Sequence, residues 1–292
     1  MADLTVLILT KNEEKNLRKC VESFRGLARR FVVVDSYSTD QTVSLAKELG
    51  ADVYENPWVN YATQFNWGLA NTDITTKWTM RFDADEELTP ELAKELEERL
   101  SGVEEDVVGV ECKRRIHFLH RWIRHGGIYP TWVLRIFRTG KAYCEKTVMD
   151  EHIMVDEGKV IRFDNDFIDN NTKDIAWWID KHNWYSDREV VDYISKKSQL
   201  DEGSVLKPDF WGNQAERKRW IKYMVYYKTP FMRRAHWYFL YRYFIKLGFL
   251  DGKEGLIYHF LQGYWYRFLV DAKLYEYQNT DVGLKDSGAL KS

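Results

Sequence analysis

Short apolar runs alternate with helical stretches over the first hundred positions. Residues 4–9 form an apolar run broken only by Thr5, the pattern of a strand covered on both faces. A polar break, Thr10-Lys-Asn-Glu13, follows. Leu17, Val21 and Phe24 then recur at helical spacing as far as Gly26. Residues 31–34 predict a second strand ending at Asp35, and residues 42–49 a helix stopped by Gly50. Residues 52–55 predict a third strand, residues 62–70 a helix, and residues 78–82 a fourth strand ending at Asp83-Ala-Asp85. Pro90 opens a charged helix to about Leu100. Strands alternating with helices in this way predict a doubly wound α/β sheet. From 107 to 163 the pattern turns to strands (107–110, 133–137, 160–163) and long loops, and beyond Asp174 it is helical. A composition shift at Leu206-Lys-Pro208 divides residues 1–205, the expected catalytic domain, from a helical region over 206–292.

Composition narrows the class. With 30% charged and 45% hydrophobic residues, the chain is neither disordered nor a polytopic membrane protein. A net charge of −2 argues against a nucleic-acid binder. The average conceals an asymmetry. Residues 207–246 hold ten Lys/Arg and two Asp/Glu, a net +8, which leaves −10 elsewhere. Of the 45 aromatic residues, 22 lie within 210–277. The N-terminus lacks the basic start of a signal peptide, and no apolar run reaches the ~18 residues of a membrane span. Cys20, Cys112 and Cys144 suit reduced thiols, so a cytoplasmic location is expected.

Ligands of open α/β sheets bind at the carboxyl ends of the strands. Here those ends carry Thr10 to Glu13, Asp35, and Asp83 with Asp85. The first turn has neither GxGxxG nor GxxxxGKS, which disfavours a dinucleotide site and a P-loop. Carboxylates gathered on one rim need counter-charge, and a divalent cation held partly by Asp and partly by a diphosphate supplies it. His117, His120 and His125 with Cys112 fit no zinc spacing.

Three motifs, Leu9-Thr-Lys-Asn-Glu-Glu14, Val34-Asp-Ser-Tyr-Ser-Thr-Asp-Gln-Thr42 and Phe82-Asp-Ala-Asp-Glu86, together resemble glycosyltransferase family 2, the inverting GT-A fold, over roughly residues 4–165. The resemblance implies that Thr10, Glu13 and Asp35 line the nucleoside pocket, with Asn12 and Ser38 as further substrate-binding residues. The carboxylates of Glu13 and Asp35 would accept from uracil N–H or ribose hydroxyls. Asp83 would touch the ribose or sugar, and Asp85 would bind Mg2+ or Mn2+ on the diphosphate. Gln64 and Asn66 resemble an element of a bacterial subset and could hydrogen-bond the donor. The same bacterial branch, which resembles lipopolysaccharide-core glucosyltransferases, places its general base where this chain reads Met149-Asp150-Glu151. Glu151 is the expected base and Asp150 the second choice. Arg135 and Arg138 resemble the branch's cationic element near the leaving diphosphate. In a regular strand 135 and 137 share one face and 138 takes the other, so at most one arginine reaches the site.

Residues 114–129, with Gly126-Gly127, are expected to form an acceptor-side loop suited to sugars and phosphates. Residues 229–246 mix cations with Trp, Tyr and Phe, as in a helix lying in a bilayer interface. A break at 250–255 and a second aromatic helix over 256–274 follow. The expectation is a metal-dependent inverting glycosyltransferase, peripheral on the cytoplasmic face of a bacterial inner membrane. It would move a hexose, glucose by preference, from a UDP-sugar to a lipid-linked glycan or lipopolysaccharide core. A polyprenyl-phosphate glycosyltransferase and a non-catalytic nucleotide-sugar scaffold are the alternatives. A homo-oligomer interface is the other use for the aromatic region.

Overall fold

The computed structural model describes residues 1–145, 152–198, 209–212, 214–226 and 228–280. They fall into two compact units. The first comprises Met1–Ile123 and Tyr129–Thr172. Its elements are β1 (Ala2–Thr10), α1 (Leu17–Ser23), β2 (Ala28–Asp35), α2 (Thr42–Glu48), β3 (Asp52–Glu55), α3 (Tyr61–Asn71), β4 (Trp78–Asp83), β5 (Glu86–Leu88) and α4 (Pro90–Arg99), then β6 (Val107–Phe118), β7 (Arg121–Trp122), β8 (Thr131–Arg138), β9 (Ala142–Cys144), β10 (Ile153–Val155) and β11 (Lys159–Asp169). The main sheet runs β3-β2-β1-β4-β8-β6-β11-β5, with β7 on β6 and a separate β9–β10 hairpin. β1 to β4 pair in parallel, whereas β8 runs antiparallel to both β4 and β6. The expected doubly wound half is therefore continued by a mixed half.

Alternation along β1 builds two cores. Leu4, Val6 and Ile8 face one, with Leu17 and Phe24 from the α1 region and Leu92 and Leu96 from α4. Leu7 faces the other, with Phe65 of α3 and Phe137 of β8. α3 lies close because Gly68 has no side chain: a Cβ there would stand 3.0 Å from Val34. Helix starts follow their signals. Asn60 caps α3 by accepting from the Thr63 N–H, and Thr89 caps α4 by accepting from Leu92 N–H with Pro90 beside it.

One departure from regularity matters for the site. Val110 pairs with Ile136 but Glu111 pairs with Leu134. Arg135 is thus an extra residue in β8, a β-bulge, and the alternation assumed for 135, 137 and 138 breaks there.

The second unit comprises Arg124–Ile128 and the chain from Lys173 on. It contains α5 (Ile175–Ser198), α6 (Gln214–Ile221), α7 (Arg233–Leu240), α8 (Gly252–Tyr258) and α9 (Tyr266–Asn279), with π turns at Lys222–Tyr226, Tyr241–Ile245 and His259–Trp265. The boundary lies earlier than the expected 205/206. α5 joins the helical unit because Val190 shares a core with Tyr266, Val270 and Leu274 of α9. The short segment around Gly126 is hung from the same unit. The Gly126 N–H donates to Lys246 O at 2.8 Å, Arg242 Nε donates to Gly126 O at 3.1 Å, and His125 Nδ1 lies 2.6 Å from Asp251 Oδ1. Gly126 has φ +71°, and a Cβ there would fall 2.0 Å from the His259 ring.

Candidate active site

Parallel pairing sets Thr10 opposite Asp35 and Leu9 opposite Asp83. The carboxyl ends of β2, β1 and β4 therefore stand side by side, where the strand order reverses. The first turn is tied to the second by side chains. Asn12 takes a left-handed φ of 55°, which asparagine tolerates better than most residues. Its N–H donates to Ser38 Oγ at 2.8 Å, and its Oδ1 accepts from Thr39 N–H at 2.8 Å. Glu13 accepts from Asn16 Nδ2 at 2.8 Å, and its N–H donates to Thr42 Oγ1. Asp35 is fully enclosed at the centre of this network. It accepts from Thr10 Oγ1 at 2.7 Å, Ser38 N–H at 2.7 Å and Ser38 Oγ at 2.6 Å. Thr10, Asn12, Glu13, Asp35 and Ser38 thus form one rim, in which Asp35 holds the loop's shape through three internal donors.

The two acids of the Asp83-Ala-Asp85 motif have opposite surroundings. Asp83 accepts from Tyr61 OH at 2.8 Å, with Arg81 Nε 3.6 Å away and Arg135 Nη2 3.5 Å away. Arg81 also stacks on the Tyr61 ring at 4.0 Å. Arg135 is 4% exposed and pairs with the buried Glu86, which in turn accepts the Asp83 N–H at 2.9 Å. Burial pushes the Glu86 carboxyl well above its usual range; Arg135 opposes this, and Asp83 and Asp169 add to it. Asp85 meets no cation within ion-pairing distance among the described residues. One of its oxygens accepts from Asn171 Nδ2 at 2.8 Å, and its carbonyl accepts from Asn170 N–H at 2.9 Å. Thr172 Oγ1 donates to Asn16 Oδ1 at 2.6 Å, which links this segment to the Glu13 turn.

This contrast bears on the implied metal. Asp83 is already matched by two guanidinium groups, whereas Asp85 offers a carboxylate oriented by an amide and with no cation beside it among the described residues. No group of three His, Cys, Asp or Glu among the described residues makes a complete metal set. The residues therefore fit a divalent cation held by Asp85 and completed by phosphate oxygens and water, the usual arrangement for Mg2+ on a nucleotide.

Several expected site residues are used otherwise. Gln64 is buried; its amide donates to Ser36 Oγ at 3.0 Å and Asn56 O at 3.1 Å and accepts from Asn56 Nδ2 at 2.7 Å. Asn66 pairs with the Cys144 peptide in both directions, at 2.8 and 2.7 Å, and so fixes β9 to α3. Both N–H groups of the Gln64 amide are thus used inside the protein, and Asn66 uses one donor and one acceptor on β9. Arg138 lies opposite Trp78, at the far end of β4. It stacks on that ring at 4.4 Å and donates to the carbonyls of Val107 and Glu104. Arg135 is the arginine that reaches the acids. Asp150 and Glu151 lie outside the described residues. The expected loop over 114–129 is partly strand; its Arg115 at 2.5 Å and Tyr129 OH at 3.1 Å, with Lys113 just before it at 3.6 Å, meet Asp166 of β11.

Tyr61, Arg81, Glu86 and Asn171 complete the site without having been singled out. Glu86 stood inside a motif, beside two acids. Tyr61 and Asn171 carried no local signal, because their partners lie 22 and 86 residues away in the chain.

The sequence model of Glycosyl transferase family 2 matches residues 5–164. An uncharacterized glycosyltransferase of Rickettsia typhi is 39% identical over 97 residues, 33% of this chain and 32% of that protein. A lipopolysaccharide core biosynthesis glycosyltransferase of Rhizobium meliloti, LpsC, is 32% identical over 163 residues, 54% of this chain and 58% of that protein. The match thus spans about a third to somewhat over half of these relatives' lengths. Among solved structures, mannosyl-3-phosphoglycerate synthase of Rubrobacter xylanophilus superposes with a TM-score of 0.45 at 14% identity, over 69% of this chain and 78% of that one.

Proposed function

The chain belongs to glycosyl transferase family 2, and from that premise we propose that it moves a hexose, glucose by preference, from a UDP-sugar to a lipid-linked glycan or lipopolysaccharide core. The reaction would run with Mg2+ or Mn2+ at the cytoplasmic surface of an anionic inner membrane, the enzyme bound peripherally. The first unit carries the mixed sheet of a GT-A fold. The observation that carries the reading is the asymmetry of the motif acids. Asp83 is neutralised by Arg81 and Arg135, and Asp85 is left as the one fit for a cation. Similarity to LpsC over 58% of its length supports the acceptor class.

The rim of Thr10, Asn12, Glu13, Asp35 and Ser38 shapes the nucleoside end of the donor site. Asp35 holds the two turns together, and Asn12 and Glu13 present the outer polar groups. Asp83, its carboxylate fixed by Tyr61 and the two arginines, orients the ribose or sugar. A divalent ion at Asp85 would neutralise the charge that develops on the leaving diphosphate. Arg135, brought to the acids by the bulge, keeps this rim from accumulating uncompensated negative charge. Glu151, with Asp150 second, takes the acceptor's proton on the face opposite the leaving group, as an inverting transfer requires.

The test is calorimetric titration of UDP-glucose with and without Mn2+. Binding should require the metal and disappear in Asp85→Ala, with transfer falling at least about a hundredfold. A wild-type protein that binds no nucleotide-sugar in a metal-dependent way would overturn the reading. Glu151→Gln and Asp150→Asn, measured in turn, separate the two base candidates.

A further inference from the structure

α7 and the π turn after it are inside out. The positions that face inward are Arg234, Ala235 and Arg242, exposed by 2, 0 and 5%. Arg234 pairs with the buried Asp271, its Nε at 2.8 Å from Oδ1, and Asp271 also accepts the Met232 N–H at 2.7 Å. Arg242 donates to Gly126 O. The outward positions are Trp237, Leu240, Tyr241, Phe244 and Ile245, exposed by 66, 40, 46, 53 and 71%. They recur at spacings of three, one, three and one, the stripe a helix normally buries. A water-facing helix carries its charges outside and its apolar stripe inside; here the stripe faces out.

The apolar surface extends beyond one helix. Phe239 meets Phe260 at 6.2 Å and Tyr243 meets Phe249 at 6.3 Å. Phe239 and Tyr243, half-buried beside the stripe, thus touch the exposed Phe260 and Phe249, and Leu250 and Leu256 on the following segments are exposed as well. A continuous patch of this kind marks an interaction surface. The exposed charges of the same segments are cationic. Lys228, Arg233, Lys246 and Lys253 are exposed, and none has an acidic partner within ion-pairing distance among the described residues. Residues 228–261 hold two acids, Asp251, which is buried against His125, and Glu254, which is half-buried.

We infer that this face docks on an anionic lipid surface, lying along the headgroups with its rings and aliphatic side chains inserted and its four cations on lipid phosphates. No helix among the described residues is long and apolar enough to cross a membrane. Charge selects lipid over a second copy of the chain. A two-fold interface would set the patch against itself and bring eight unmatched cations together, whereas anionic headgroups neutralise them. The inference rests on the lipid-carried acceptor proposed above and gives it a docking face.

The test is flotation of the full chain with phosphatidylcholine vesicles, with and without phosphatidylglycerol. Binding should require phosphatidylglycerol and weaken with salt. Lys246→Ala should lower partition about fivefold, and the double change Phe244→Glu with Ile245→Glu at least about tenfold. These side chains point outward, so circular dichroism and Mn2+-dependent UDP-glucose binding should be unchanged. Absence of binding at low salt would overturn the inference. So would binding by both variants as strong as wild type, or a dimer in light scattering that the Phe244/Ile245 change splits without vesicle partition. Donor binding without vesicle binding would sink the docking face alone. Vesicle binding without donor binding would sink the glycosyltransferase reading alone.

Discussion

In the sheet unit apolar side chains face inward and Asp85 meets no cation among the described residues; in α7 and the π turn after it Arg234 and Arg242 face inward and Trp237 and Ile245 face out. Both units bury charge, but to different ends. The Glu86–Arg135 pair sits under the Asp83 carboxylate and fixes the electrostatics of a site. The Arg234–Asp271 pair sits under a helix and leaves its outer positions to aromatic residues. A buried ion pair thus serves local chemistry in one unit and surface character in the other. It stabilises neither cheaply, because desolvation opposes the attraction.

That comparison can be broken most directly at Arg234. Arg234→Ala strands Asp271 in an apolar setting and should cost about 3–5 kcal/mol in denaturant unfolding. Metal-dependent UDP-glucose binding by the folded protein should persist. A loss under 1 kcal/mol would mean that the inside-out helix does not depend on its buried pair. In the sheet unit, Asn171→Ala frees Asp85 to rotate without removing a ligand. Mn2+ affinity in the presence of UDP should fall about 10- to 100-fold, and an unchanged titration would remove Asn171 from the site.

The smallest effect concerns protons in the helical unit. Burial holds His259 down at about 4; Arg242 and His125 add to this and Asp251 opposes it. Burial likewise holds His182 at about 4, with the Trp178 carbonyl opposing and Lys181 adding. In the unfolded chain each titrates near 6.5. Between pH 6.5 and about 4 the unfolded chain therefore binds protons that the folded one does not. Stability falls as pH falls, by at most about 1.4 kcal/mol per pH unit for each group. Above pH 6.5 neither contributes. Amide exchange across residues 233–279 should quicken, after correction for intrinsic rates, between pH 7 and pH 5. A flat comparison would show that these rings accept protons in place.

Much of the sheet was legible because its strands are covered on both faces and read as apolar runs, from residues 4–9 to residues 78–82. The family was legible from three motifs in register, and the match over residues 5–164 agrees with it. What escaped was whatever depends on pairing between distant strands. The bulge at Arg135 comes from its register with β6, and no alternation in β8 announces it. Gln64 and Asn66 read as exposed polar residues or donor ligands, yet they satisfy Ser36, Asn56 and the Cys144 peptide. The extent of the helical unit was misplaced because α5 is assigned by its partner α9 rather than by its own composition.

Gly126 gives the architecture a consequence for inheritance. Residues 124–128 are encoded between β7 and β8, in the middle of the catalytic stretch, yet they are held by Lys246, Arg242 and Asp251 and leave no room for a Cβ beside His259. The helical unit is therefore a discontinuous module. A recombination event that exchanged only the C-terminal half with a relative would separate a glycine from the histidine that requires it. The two segments must travel together, and Gly126 is held to glycine twice over, by the His259 ring and by its own left-handed φ of +71°.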